Sequence, residues 1–187
     1  HLVFSNNYRV FFGEDNPQLL AFDEVENTYT KNDNLMFILT PKDGTVFTPQ
    51  TLTAVKDLTK RSWKIPYSIR VDSLTNFQHT KVVGDDLFVD DLVKGDPSQL
   101  NQSQLEDIRN IALSEPILKD LLITEKSNIT GVNVSIQLPQ KDPNEVIQVV
   151  AYARNLAKEF EQKYPQIETR ISGVVALNHA FAENGQN

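Results

Sequence analysis

Arg70, Asp72, Ser73 and His79 stand close together in the chain and carry the side-chain types of a hydrolytic site. Ser73 would attack, His79 would take its proton, and Asp72 would hold the imidazole. Two features argue against that chemistry. No Gly-x-Ser-x-Gly elbow presents the serine. On the strand expected here, Asp72 and Ser73 point to opposite faces of the sheet. The expectation is therefore a non-enzymatic protein without catalytic residues.

Asp85, Asp86, Asp90 and Asp91 form the other conspicuous cluster. Calcium loops alternate acidic residues around a central Gly and end in Glu, a pattern missing here. The charges read instead as a solvated edge strand that discourages pairing with another chain. His79 and His179 lie far apart, each without a ligand-spaced partner. No Gly-rich phosphate loop is present among the 7 Gly. No metal and no cofactor are expected. The sequons at Asn101, Asn128 and Asn133 are discounted, the last because it falls inside a strand.

Phe47, Trp63, Tyr67 and Phe77 gather around one helix and the strand after it. Core packing is the commoner fate of such aromatics. The functional alternative is an apolar lining for a hydrophobic ligand, and these four are the expected substrate-binding residues.

Composition narrows the partners. The 187 residues are 40% hydrophobic and 23% charged, as in an ordinary globular protein. With 18 Lys and Arg against 25 Asp and Glu, the net charge is −7. Such a chain is a poor ligand for nucleic acid or anionic lipid headgroups. The absence of Cys removes disulfides and thiolate metal sites. No apolar run approaches the roughly 18 residues of a spanning helix. The first residue, His1, reads as the start of a piece of something longer.

The positioning elements follow from periodicity. Residues 2–12 are extended and rich in aromatics. Asn16-Pro17 opens a helix with Leu19, Phe22, Val25 and Tyr29 on one face. Residues 35–40 form a buried strand, and Thr48-Pro49 caps a helix facing inward through Leu52, Val55 and Leu58. Residues 67–74 are a strand, and residues 86–93 suit another. A helical insertion at about 96–122 interrupts the pattern, with Leu105, Ile108 and Ala112 on one face and a break at Glu115-Pro116.

Residues 132–138 alternate strictly, which marks a sheet with one wet face. Asp142, Pro143 and Glu145 then predict a capping box opening a helix striped by Val146, Val149, Ala153, Leu156, Phe160 and Tyr164. Residues 167–177 form the last strand, with Gly173 in its middle. Without the first helix and the insertion, a βαββαβ order remains. The fold class is α+β, ferredoxin-like, with helices on one face of a single sheet.

Several ordered stretches resemble one family. They are Phe11-Phe12-Gly13-Glu14-Asp15-Asn16-Pro17, Asp33-Asn34-Leu35-Met36-Phe37 and Asp43-Gly44-Thr45-Val46-Phe47. Arg70-Val71-Asp72-Ser73-Leu74-Thr75-Asn76-Phe77-Gln78 is the most telling, followed by Asp85-Asp86-Leu87, Glu115-Pro116 and Ile171-Ser172-Gly173. Together they resemble the first large extracytoplasmic loop of bacterial RND-superfamily exporters of the MMPL type.

The resemblance implies a single porter-type periplasmic domain over residues 1–187, between two transmembrane helices that lie outside this fragment. It implies an inner-membrane transporter driven by protons, which binds and guides a hydrophobic or lipid-like molecule for export. Its partners would be the second periplasmic loop and the transmembrane helices of the same polypeptide, with an accessory periplasmic protein as a further candidate. The family's proton-relay acids lie in membrane helices, so none is assigned to this chain. The rival reading is a structural or partner-docking module without its own ligand site. A weaker third is a hydrolase using Ser73 and His79.

Overall fold

A computed structural model describes residues 33–173, Asp85 excepted, together with Val175. The extended segment and the helix expected before residue 33 lie outside the described residues, as does most of the chain after Gly173.

The first strand, β1 (Asp33–Pro41), alternates buried Leu35, Phe37 and Leu39 with half-buried neighbours. It leads through a turn at Gly44 into α1 (Pro49–Ser62). Thr48 caps α1 as its sequence predicts, its hydroxyl accepting from the Thr51 amide, while Pro49 occupies the first turn. Next comes β2 (Ser68–Ser73). The chain then leaves the sheet for a long excursion. It makes a hairpin of β3 (Gln78–Val83) and β4 (Asp86–Asp91), a short 3-10 turn (Pro97–Gln99), α2 (Gln102–Ser114) and α3 (Pro116–Leu121). It returns as β5 (Thr130–Ile136), crosses over through α4 (Glu145–Lys163) and ends in β6 (Ile167–Ser172).

The main sheet runs β2-β5-β1-β6 with every neighbouring pair antiparallel. β1 is central, with Leu35 opposite Val134 and Phe37 opposite both Val132 and Ile171. The outer strands β2 and β6 are each one helix away from their parallel counterparts β1 and β5. This is the split βαβ arrangement of the ferredoxin-like class. β3 and β4 form a separate two-stranded sheet.

Two apolar cores follow from this plan. The first lies between the main sheet and the helices α1 and α4. Leu35, Phe37, Leu39, Val132, Val134 and Ile136 meet Val55, Leu58, Val149, Ala153 and Phe160 there. The opposite face of the sheet is polar along β5, as its alternation predicts, while Met36 of β1 on that face packs against the second core. There Asn34 Nδ2 donates to Asn133 Oδ1 at 3.1 Å, and Arg70 Nε to Asp72 Oδ1 at 2.8 Å. The second core holds the excursion together, with Val46, Phe47, Leu52 and Leu74 against Leu92, Leu105, Ile108, Leu118 and Leu122. α1 serves both, presenting Leu52 to the second and Val55 and Leu58 to the first.

Boundaries and one pairing differ from expectation: β5, for example, spans Thr130–Ile136 and not residues 132–138. The α4 helix begins at Glu145, not near Asp142, because residues 143 and 144 form a turn. Glu145 still reaches back, accepting from the Gln140, Lys141 and Asp142 amides at 2.8, 2.9 and 3.1 Å. The last strand ends at Ser172, where Gly173 takes a left-handed φ of 107°. Lastly, the strand-forming stretch at 86–91 pairs with residues 78–83, not with the main sheet.

Candidate functional site

The excursion contains an open groove of 580 Å³ between the β3–β4 hairpin and α2. Its floor is apolar, made by Phe88, Leu92, Leu100, Ile108 and Ile111. Its rim carries His79, Lys81, Lys94, Asp90 and Asp107.

The hairpin register supplies one wall. His79 pairs with Asp90 and Lys81 with Phe88. Directly opposed residues of an antiparallel pair share a face, so these four side chains stand together. Leu87 and Val89 take the other face and are 67% and 52% exposed. α2 supplies the second wall. Its first turn is fixed by a reciprocal cap, with Asn101 Oδ1 accepting from the Gln104 amide and Gln104 Oε1 from the Asn101 amide, both at 3.0 Å. That cap sets the rotation of α2, which buries Leu105 and Ala112 and turns Ile111 and Asp107 toward the hairpin.

Charge on the rim is mixed. Lys94 is paired with Asp90, four residues earlier in the chain. His79 Nδ1 lies 3.8 Å from Glu115 Oε1, too long for a hydrogen bond, and has no hydrogen-bond partner. Lys81 makes no ion pair among the described residues and extends from the wall beside Phe88. The arrangement presents an apolar trough with cationic and anionic points above it. It suits a molecule with a hydrophobic body and a polar end.

The four aromatics named from sequence are not gathered on one surface. Phe47 is buried in the second core and Phe77 packs against it. Tyr67 packs against the first core, at a φ of 62° that is uncommon for an aromatic residue. Trp63, just past the end of α1, is 50% exposed.

The residues that first suggested hydrolysis are held in other work. Ser73 Oγ bonds Thr75 Oγ1 at 2.9 Å and donates to Asn76 Oδ1 at 3.0 Å. It also accepts from the Thr75 amide at 3.1 Å, so it shapes the turn that leaves β2. None of its partners is an imidazole. Among the described residues, no group of three or more His, Asp or Glu is placed to hold a metal ion.

Sequence reasoning did not single out Phe88, Ile111 or Lys81 for this groove. The alternation at 86–92 does place Phe88, Asp90 and Leu92 on one side of their strand. The missing signal was β3, whose turn partner Gly84 precedes the acidic pair.

No protein-family model matches the chain, and no curated protein matches it.

Proposed function

We propose that this chain is the first extracytoplasmic domain of a proton-driven RND-superfamily exporter of the MMPL type. It sits on the periplasmic side of a bacterial inner membrane, where it binds and guides a hydrophobic or lipid-like molecule without bond chemistry. Three observations support the reading: the ordered resemblance along the chain, the split βαβ sheet, and the long excursion spliced into it. The observation that carries it is the groove, whose 580 Å³ falls within the range of small-molecule sites and whose floor is apolar. Proton-driven movement against a sister loop would open and close such a trough, and the cargo would bind the two states with different affinity.

The test is titration of the domain with a fluorescent fatty-acyl probe. Saturable binding that weakens at least tenfold in Phe88→Ala and Ile111→Ser supports the reading (about 1.4 kcal/mol of lost contact). Absence of saturable binding to the folded domain overturns it.

One observation favours the docking alternative. Leu87 and Val89 present an apolar face directed away from the groove. If Leu87→Lys abolishes association with a periplasmic accessory protein while no amphiphile binds, the docking module is the better reading.

A further inference from the structure

Both outer edges of the main sheet are guarded by side chains of the same chain. Beside β2, Asn76 Nδ2 donates to the Val71 carbonyl at 2.7 Å, and Asn76 Oδ1 accepts from the Ser73 amide at 2.8 Å. One side-chain amide thus makes the two contacts that a residue of an added parallel strand would make. Beside β6, Glu161 Oε1 accepts from the Thr169 amide at 3.2 Å. A strand added at either edge would have to displace these bonds, so both edges resist pairing.

The β3–β4 hairpin has no such guard along β4. The Leu92 amide donates to the Phe77 carbonyl at 2.8 Å, so that pair is hydrogen-bonded. Bonded and non-bonded pairs alternate along an antiparallel ladder, so His79 with Asp90 and Lys81 with Phe88 are bonded as well. Leu87, Val89 and Asp91 therefore turn their N–H and C=O groups away from β3. Among the described residues, none of these backbone groups has a hydrogen-bond partner. β4 is exposed from Asp86 to Asp90, and Leu87 and Val89 carry exposed apolar side chains at this edge.

We propose that the outer edge of β4 is a docking site for an extended basic segment of another protein, which adds to the hairpin as a third, antiparallel strand. The unpaired backbone groups select an extended partner, because a strand is what satisfies donors and acceptors at that repeat. A two-stranded hairpin is also marginal by itself and gains from a third strand. The apolar side chains opposite Leu87 and Val89 would form cross-strand pairs with them.

Charge selects the sign of the partner. Asp86 stands at one end of β4, with Asp90 and Asp91 at the other. Lys94 answers Asp90 alone. A second copy is a poor occupant for the same reason. Antiparallel self-pairing centred on Phe88 puts Asp86 opposite Asp90, and centring it between Phe88 and Val89 puts Asp86 opposite Asp91. Like charges directly opposite destabilise a strand pair, so these acids turn away an identical edge and admit a basic one.

The inference stands apart from transport, since it uses the backbone edge of β4 and not the groove. It is tested on the whole chain with the end-labelled peptide Lys-Lys-Val-Thr-Val-Lys. In antiparallel register its lysines face Asp91, Asp90 and Asp86, and its valines face Val89 and Leu87. Fluorescence anisotropy should show saturable binding that weakens at least about tenfold when both valine amides are N-methylated, a change that keeps charge and side chains but removes backbone donors. Val89→Pro removes an outward amide and no bond to β3, and should weaken binding similarly. No saturable binding, or equal binding of the N-methylated peptide, overturns the proposal. Concentration-dependent dimerisation of the wild-type chain that Val89→Pro abolishes also overturns it, since a second copy would then hold the edge.

Discussion

Lys56 donates from its ammonium to the carbonyl of Gly95 at 2.7 Å, and to that of Val93 at 3.1 Å. One side chain in the middle of α1 thus pins the chain where it leaves the hairpin for α2. Two backbone acceptors that would otherwise need water are satisfied by a charged donor. Lys56→Met keeps the aliphatic stem and removes both bonds. It should cost about 1–2 kcal/mol. Urea unfolding will read the loss, and amide exchange should speed up first around residues 93–95.

Glu145 governs the start of α4. Burial opposes its ionisation, yet the Lys141, Asp142 and Gln140 amides outweigh it and hold the carboxyl below the ordinary value of 4.5. A carboxyl lowered in the folded state stabilises the fold above the unfolded-state value and loses that contribution as pH falls through the folded one. The wild type should therefore lose stability as pH drops below about 4.5. In Glu145→Gln, stability at neutral pH should already be lower and that acid-side dependence shallower. Thermal midpoints measured from pH 7 to 3 check both statements.

Gly173 has no room for a side chain. A Cβ there would lie 2.5 Å from the Asn34 carbonyl oxygen, and its φ of 107° is strained for any L-residue. Gly173→Ala should destabilise the fold by roughly 2–4 kcal/mol. A drop in melting temperature with an unchanged far-ultraviolet spectrum is the expected signature. An unchanged melting temperature would contradict this packing of β6 on β1.

Ser73→Ala separates structure from catalysis. The substitution leaves the Thr75 amide without its acceptor in a buried turn. Stability should fall by about 1–2 kcal/mol. Esterase assays on the wild-type protein and the variant should give the same background rate. A rate lost with Ser73 would return the hydrolase reading.

Local rules made much of this fold readable. Thr48-Pro49 marked α1 because an oxygen that accepts an orphan amide and a residue that lacks one are both used at a helix start. Val132, Val134 and Ile136 announced β5 by strict alternation. By contrast β3 was hidden. Gln78, His79, Thr80 and Lys81 carry no apolar alternation, since their strand pairs only with β4 and leans on no core of its own. The groove was equally unreadable. Phe88 and Ile111 come from separate elements, and only the second core brings them face to face. Trp63 and Phe77 looked alike in sequence, but Trp63, just past the end of α1, meets solvent, while Phe77, after β2, packs on the second core.

Ser73 is paired with Val132, yet the whole excursion lies between them. Closing so long a loop before its contacts reward it is slow, and local contacts form sooner. The β3–β4 hairpin is local, joined at Gly84. In pulse-labelled exchange during refolding, its amides should be protected before those joining β2 to β5. The spliced segment therefore acts as a timer: the central sheet is completed only after its insertion has collapsed.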